Sequence, residues 1–152
     1  MTAWRLVRDR HAAHVWSGDG ARRYGGRWNE PGTAVVYLSE HLSLAALEVL
    51  VHLDPSDAPD GWTSWSAEVP DADITWLDRS ALPAGWRTEA VPGACAALGS
   101  AWATELRSPV LAVPSALVPQ EHNLVLNPRH PDAARVVRGE AASFAFDPRL
   151  LL

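Results

Sequence analysis

Four polar residues in this chain of 152 could share chemistry: Arg27, Tyr37, Glu48 and Ser115. Arg27 sits in "RYGGRWNEPG" (23–32), beside two glycines and ahead of a Pro-Gly turn. A guanidinium flanked by glycines can present its fork of donors to a phosphate without obstruction, or simply pair with a nearby acid at the surface. Glycines can also let the backbone take positive φ or approach a ligand closely. Gly18 and Gly20 of "GDGARRYGG" do not make a dinucleotide fingerprint, because Arg23 stands where the third glycine belongs and the segment leads into a loop and a strand. Trp28, next to Arg27, offers an aromatic face, either to a pocket or to the core.

Glu48 lies in "EHLSLAALEVLVHL" (40–53). At about 100° per residue, His41, Ala45, Glu48 and His52 fall on one narrow stripe, and aliphatic residues cover almost all the rest. A surface helix has a broad polar face. This one reads as buried over most of its circumference, with Glu48 in the middle of a thin polar seam. That seam faces either a functional pocket or plain solvent. Tyr37 closes the preceding strand and shares a face with Thr33 and Val35 on a period of two, as a core tyrosine or as a ring-stacking platform. Ser115 follows a strand in "VPSALVP" without a G-x-S-x-G elbow, so a serine hydrolase is not indicated. A serine there can instead hydrogen-bond a ligand. "HAAH" (11–14) and "HPD" (130–132) lack the further ligands of a zinc site, and no metal is expected.

These residues need elements to hold them. "WRLVR" (4–8), "TAVVYL" (33–38), "PVLAVPS" (109–115), "HNLVLNP" (122–128) and "ASFAFD" (142–147) read as strands, with shorter ones in "WTSWSAEV" and "ITWL". Helices are expected over 40–53, with Ser39 as N-cap, and over 92–106, with Pro92 near its start. A loop rich in Gly and Arg is expected from about Ser17 to Gly32. Strands and helices mix without regular βαβ alternation, so the fold class is α+β, in one domain over 1–152.

Composition narrows the function. All 13 basic side chains are Arg, so a P-loop and a lysine Schiff base are both excluded. The net charge of −5 argues against general nucleic-acid binding. The charge is uneven: residues 1–30 hold six Arg against three acids, while 40–106 hold eleven acids against two Arg. An anionic small molecule would meet the N-terminal part. Cys95 is the one cysteine, so no internal disulfide forms. No apolar run approaches the ~20 residues of a membrane span, and "MTAWRLVRDRH" has no signal-peptide core, which makes the cytoplasm the expected location.

Read together, "SGDGARRYGGRWNEPGTAVVYLSEHLSLAALEVLVHL", "GSAWATELRSPVLAVPSALVPQEHNLVLNP" and "HPD" resemble the RES domain, over nearly the whole chain with 54–90 least characteristic. The resemblance maps the family's Arg, Glu and Ser onto Arg27, Glu48 and Ser115, with Tyr37 a fourth functional position. It implies an ADP-ribosyltransferase-like mixed sheet with flanking helices. It also implies the toxin half of a type II toxin–antitoxin pair that consumes NAD⁺ as substrate, with no separate cofactor. The expected partner is an Xre-type antitoxin that occludes the active site; a homo-oligomer is left open. Arg27 would hold the pyrophosphate, Tyr37 would stack on nicotinamide, Glu48 would stabilise the ribose cation, and Ser115 would orient the ribose or the amide. Arg5, Trp28 and Asn123 are further NAD⁺-binding candidates. Two alternatives stand beside NAD⁺ glycohydrolysis or phosphorolysis: ADP-ribosylation of a protein, and a catalytically inactive partner-binding module.

Overall fold

A computed structural model describes residues 1–54, 56–88 and 93–151. Seven strands form one mixed sheet: β1 (Thr2–Arg8), β2 (Val36–Ser39), β3 (Trp62–Glu68), β4 (Ile74–Trp76), β5 (Val110–Pro114), β6 (His122–Leu126) and β7 (Val137–Phe144). Their order across the sheet is β4-β5-β6-β2-β1-β3-β7. The β4–β5 pair is parallel and the others are antiparallel. Three α-helices flank it among the described residues: α1 (Asp19–Tyr24), α2 (Leu42–Leu50) and α3 (Ala94–Thr104). This is the α+β architecture expected from the sequence.

β5 is buried along its whole length, because it lies inside the sheet with both faces covered. Its unbroken apolar run is what such a position requires. Alternation divides the other central strands between two faces. Ala3, Val7, Val36, Leu38, Ala112 and Leu124 join one core cluster. Val35, Leu111, Val113 and Val125 pack on the opposite side with Trp28, Cys95 and Trp102. Leu6 packs there too, in a third cluster with Ala45, Trp62 and Phe146.

Several elements depart from the sequence reading. The loop expected over 17–32 contains α1, whose last turn ends when Gly25, at φ +71°, donates its N–H to Ala21 O. The strand expected from Thr33 enters the ladder only at Val36, and the last strand begins at Val137 rather than Ala142. α2 is shorter than 40–53, and its N-cap is His41, not Ser39, which belongs to β2. Nor is α2 buried over most of its circumference: Leu44 and Ala45 are buried, whereas Leu47 and Val51 are exposed. Pro92 lies outside the described residues.

One irregularity shapes the site. β1 and β2 pair through a single register, Trp4 with Ser39, and then diverge. A regular ladder would continue toward Tyr37. Instead the Arg5 side chain fills the opening, and its Nη1 donates to Tyr37 O at 2.8 Å. On the other flank of the sheet β1 runs fully paired with β3 over seven residues. The split is therefore local to the β1–β2 seam.

Candidate active site

A cavity of about 660 Å³ opens at that seam. Trp4, Arg5 and Leu6 of β1 line it together with Tyr37 and Ser39 of β2, Glu48 of α2, Asn123 of β6 and the Gly25–Trp28 loop. Its size lies in the range of ordinary small-molecule sites, roughly 300–1,000 Å³. Ala45, Glu48 and His52 all border it, so the polar seam of α2 lies along the cavity, with His52 also exposed; His41, at the far end of the stripe, does not border it.

Glu48 is held by one oxygen. Ser115 Oγ donates to Oε1 at 2.8 Å and Asn123 Nδ2 donates to the same atom at 2.5 Å. Oε2 accepts no hydrogen bond among the described residues. Ser115 is fully buried and does not border the cavity. Its hydroxyl also accepts the backbone N–H groups of Leu117 and Val118, at 3.1 Å each, which aims its own proton at Glu48. The serine thus touches the carboxylate, not what would fill the cavity. Asn123 in turn accepts Ser39 Oγ–H at 2.7 Å, from the residue directly across the β2–β6 ladder.

The opposite wall is built by the glycine loop. Tyr37 Oη donates to Asn29 Oδ1 at 2.6 Å and accepts Trp28 N–H at 3.1 Å. Asn29 is buried, and its Nδ2 reaches the carbonyls of Ala21, Glu30 and Thr33, tying α1 to the loop. Burial pushes the Tyr37 hydroxyl up to about 12, against the hydrogen bond from Trp28 and the charge of Arg27. It is a neutral phenol at physiological pH, with its ring on the cavity.

The glycines serve a different neighbour from the one the sequence suggests. A Cβ on Gly26 would lie 2.7 Å from Tyr37 Oη and 2.9 Å from Asn29 Oδ1. Gly26 therefore clears space for the tyrosine hydroxyl, not for the reach of Arg27. α3 presses the same loop from outside: a Cβ on Gly99 would collide with the Trp28 carbonyl, and Ser100 Oγ accepts Glu30 N–H at 2.8 Å. Trp28 is buried against Trp102 and Val35 and also borders the cavity, so it anchors the loop to the core while closing one wall.

Two cations address this space. Arg27 is half-buried, and its Nη1 donates to Trp86 O at 2.7 Å. It shares the cavity with Glu48. Arg5 is the more enclosed: its Nε is buried without a partner. Burial pulls its guanidinium down to about 10, with no carboxylate among the described residues to offset it. It is charged at neutral pH, and an unpaired buried cation is costly unless an anion joins it.

Outside the cavity, Glu40, His41 and Glu121 bring ligand-type atoms within 4.8 Å of one another. Each already has a protein partner: Glu40 accepts His122 N–H, and His41 faces Glu121 at 3.5 Å. The group also sits at the positive N-terminus of α2, which works against a cation. His11 and His14 of "HAAH" are exposed, and His130 of "HPD" accepts the N–H of Asp132 as a local cap.

The site thus brings together Arg5, Arg27, Trp28, Tyr37, Glu48 and Asn123, and places Ser115 behind Glu48. Sequence reasoning passed over Asn29 and Ser39, which hold Tyr37 and Asn123. The signal for Asn29 was its place between Trp28 and the Pro-Gly turn. Ser39 drew notice only as a helix cap.

Known proteins place the chain. It is 41% identical to "Toxin Res" of Yersinia enterocolitica over 99% of both chains. It is 38% identical to "Prs ADP-ribosylating toxin" of a Sphingobium species, covering 97% of this chain and 95% of that one. The fold matches a chain in the crystal structure of the M. tuberculosis MbcT–MbcA toxin–antitoxin complex with a TM-score of 0.75, at 21% identity, covering 99% of this chain and 86% of that one. The RES domain family model matches residues 2–147, and the chain belongs to the RES domain family.

Proposed function

We propose that this protein is the toxin of a toxin–antitoxin pair and that it consumes NAD⁺ by breaking the nicotinamide–ribose bond. The observation that carries the reading is one cavity holding a carboxylate with a fixed, unoccupied oxygen, an aromatic ring and two guanidinium groups. Cleavage builds positive charge on the ribose ring, as in glycoside cleavage. In this reading Glu48 Oε2 binds a ribose hydroxyl and stabilises that charge. The electron pair of the broken C–N bond leaves with nicotinamide, which departs neutral and needs no acid. The Tyr37 ring receives the nicotinamide, and Arg27 and Arg5 balance the pyrophosphate. Water or phosphate then bonds to the ribose carbon. Ser115 acts behind the carboxylate, and Asn123 holds it from the cavity wall.

Purified protein, freed of any antitoxin, should release nicotinamide from NAD⁺ without a protein acceptor. Parallel reactions with and without phosphate distinguish phosphorolysis from hydrolysis. Arg27→Ala and Glu48→Ala should each abolish NAD⁺ loss and growth arrest with the fold intact. Absence of nicotinamide release under both conditions refutes the reading. The name of the Sphingobium relative favours a second one, transfer of ADP-ribose to a protein. Labelled NAD⁺ that marks a protein band in a lysate, with no free nicotinamide in its absence, supports that alternative. The partner is an antitoxin of Xre type that covers the cavity mouth. Co-expression with the product of the adjacent reading frame should yield a complex inactive toward NAD⁺.

A further inference from the structure

The geometry points to Ser39 as a positioning residue that, through Asn123, decides which oxygen of Glu48 faces the cavity. This inference deepens the NAD⁺-consuming reading and rests on it.

Asn123 joins two polar groups of opposite demand. Its Nδ2 donates to Glu48 Oε1 at 2.5 Å, and its Oδ1 accepts Ser39 Oγ–H at 2.7 Å. An asparagine amide is a two-ended group that turns about its last torsion, with a donor at one end and an acceptor at the other. The end facing Glu48 must be the donor, since a carboxylate only accepts. Ser39 adds the complementary demand from the other side. The two residues are partners in the β2–β6 register, and Ser39 is buried, so the hydroxyl cannot drift from the amide it serves.

The second donor on Glu48 is fixed independently. The Leu117 and Val118 amides hold Ser115 Oγ, so its proton also goes to Oε1. Both donors arrive from one side of the carboxylate, from β6 and from the turn after β5. Oε1 is fully engaged, and Oε2 is left for the cavity. If the amide tilted, Glu48 would keep its Ser115 bond yet lose the second constraint that sets the rotation of the carboxylate plane. Substrate would still enter: Ser39 and Asn123 border the cavity, but the aromatic ring and the guanidinium groups that would hold the substrate stay in place. What would suffer is the alignment of Oε2 in the transition state, where a small displacement is expensive.

The test compares Ser39→Ala, Ser39→Thr and Asn123→Asp. Ser39→Ala should lower kcat for nicotinamide release about 10–100-fold while KM for NAD⁺ stays within about threefold, the signature of an interaction that matters in the transition state. Ser39→Thr keeps the hydroxyl and should recover kcat to within about threefold of the parent. Asn123→Asp sets one carboxylate against another and should lose at least as much as Ser39→Ala. The side-chain amide signals of ¹⁵N-asparagine-labelled protein provide a readout independent of turnover. The pair that vanishes in Asn123→Asp belongs to Asn123; it should shift in Ser39→Ala and return in Ser39→Thr. An unchanged kcat in Ser39→Ala overturns the inference, as does a Thr variant that behaves like the Ala one, or a loss carried by KM. If the parent protein itself releases no nicotinamide, the NAD⁺ reading fails first. The amide signals then still report whether Ser39 holds Asn123, so the two failures are told apart.

Discussion

Gly26→Ala is the sharpest probe of the glycine loop. The new methyl carbon would sit 2.7 Å from Tyr37 Oη, 2.9 Å from Asn29 Oδ1 and 3.1 Å from Tyr37 Cε2. Those atoms cannot swing away cheaply. Tyr37 Oη is tied to Asn29 at 2.6 Å and to the Trp28 amide at 3.1 Å, and Asn29 is itself bound to three carbonyls. Relieving the overlap means breaking at least the Tyr37–Asn29 bond and stretching the Trp28 one. Each hydrogen bond is worth about 1 kcal/mol net, and a buried group left unpaired costs about 1–3 kcal/mol more. The substitution should therefore destabilise by about 2–3 kcal/mol, equivalent to a melting point lower by roughly 5–10 °C in a domain of this size. Urea unfolding of Gly26→Ala, Tyr37→Phe and the double variant makes the test specific. Without the hydroxyl the closest clash disappears, so in the Phe background the alanine should cost about 1 kcal/mol or less. Additive effects across that cycle, or a Gly26→Ala protein as stable as its parent, would refute the claim that Gly26 exists to admit the tyrosine hydroxyl.

Gly99→Ala drives a methyl group into the Trp28 carbonyl and should cost more than about 3 kcal/mol or prevent folding, whereas Ala97→Ser, on the exposed side of α3, should stay within about 0.5 kcal/mol in the same urea titration. Tyr37 ionises at about 12 when folded against an ordinary 10, so the unfolded chain loses its proton first and stability falls between pH 10 and 12, by about 2–3 kcal/mol across the window. Arg5 shifts the opposite way but is present in both proteins, so unfolding free energies of wild type and Tyr37→Phe from pH 8 to 11 should diverge, and parallel curves would contradict the burial of the hydroxyl. Arg5→Met removes a buried cation with no acidic partner among the described residues. It should leave the melting point within a few degrees of the parent or raise it, while the stabilisation that saturating NAD⁺ gives the parent, about 2.7 kcal/mol at a hundred times Kd, disappears. A variant that still gains that stabilisation would remove Arg5 from the binding wall.

How much of this was legible depended on whether an element's reason lay in its own residues. β5 and β6 could be read because burial on both faces demands an apolar run, and prolines and the "LNP" stop mark their ends. α1 could not, since "DGARRY" is six residues with a glycine and two arginines and no buried residue. It forms because Asn29 takes the Ala21 carbonyl and because Gly18, at φ +72°, packs against the Val35 backbone, both partners more than seven residues away. The front of β7 was hidden because an edge strand exposed on both faces carries no apolar alternation. On α2 the polar stripe was visible, but its direction was not. Apolar residues counted as core, Leu47 and Val51 among them, are exposed, and Val51 with Val49 lines the cavity. Glu48, Arg27 and Tyr37 were singled out by type and setting, each with a structural alternative beside it, and all three border the cavity. Ser39 was misread because a serine before a helix is usually a cap, and only strand pairing reveals its partner 84 residues on.

That pairing explains why so short a strand as β2 organises the whole site. Tyr37 and Ser39 are two residues apart, hence on one face, and each hands its hydroxyl to an asparagine from elsewhere in the chain. Asn29 connects Tyr37 to the glycine loop and α1; Asn123 connects Ser39 to Glu48 and α2. Between them the Tyr37 carbonyl, released where β1 peels away, receives Arg5. On the reverse face Val36 and Leu38 are buried in the main core, which fixes the strand in height and rotation. The aromatic wall, the carboxylate and the buried cation are thus referred to one four-residue backbone rather than to one another. Arg27 is the exception, carried on the loop and braced by the Trp86 carbonyl. Arg27 and Glu48 thus face one cavity from separate supports, so a displacement at Arg27 reaches Glu48 only through β2.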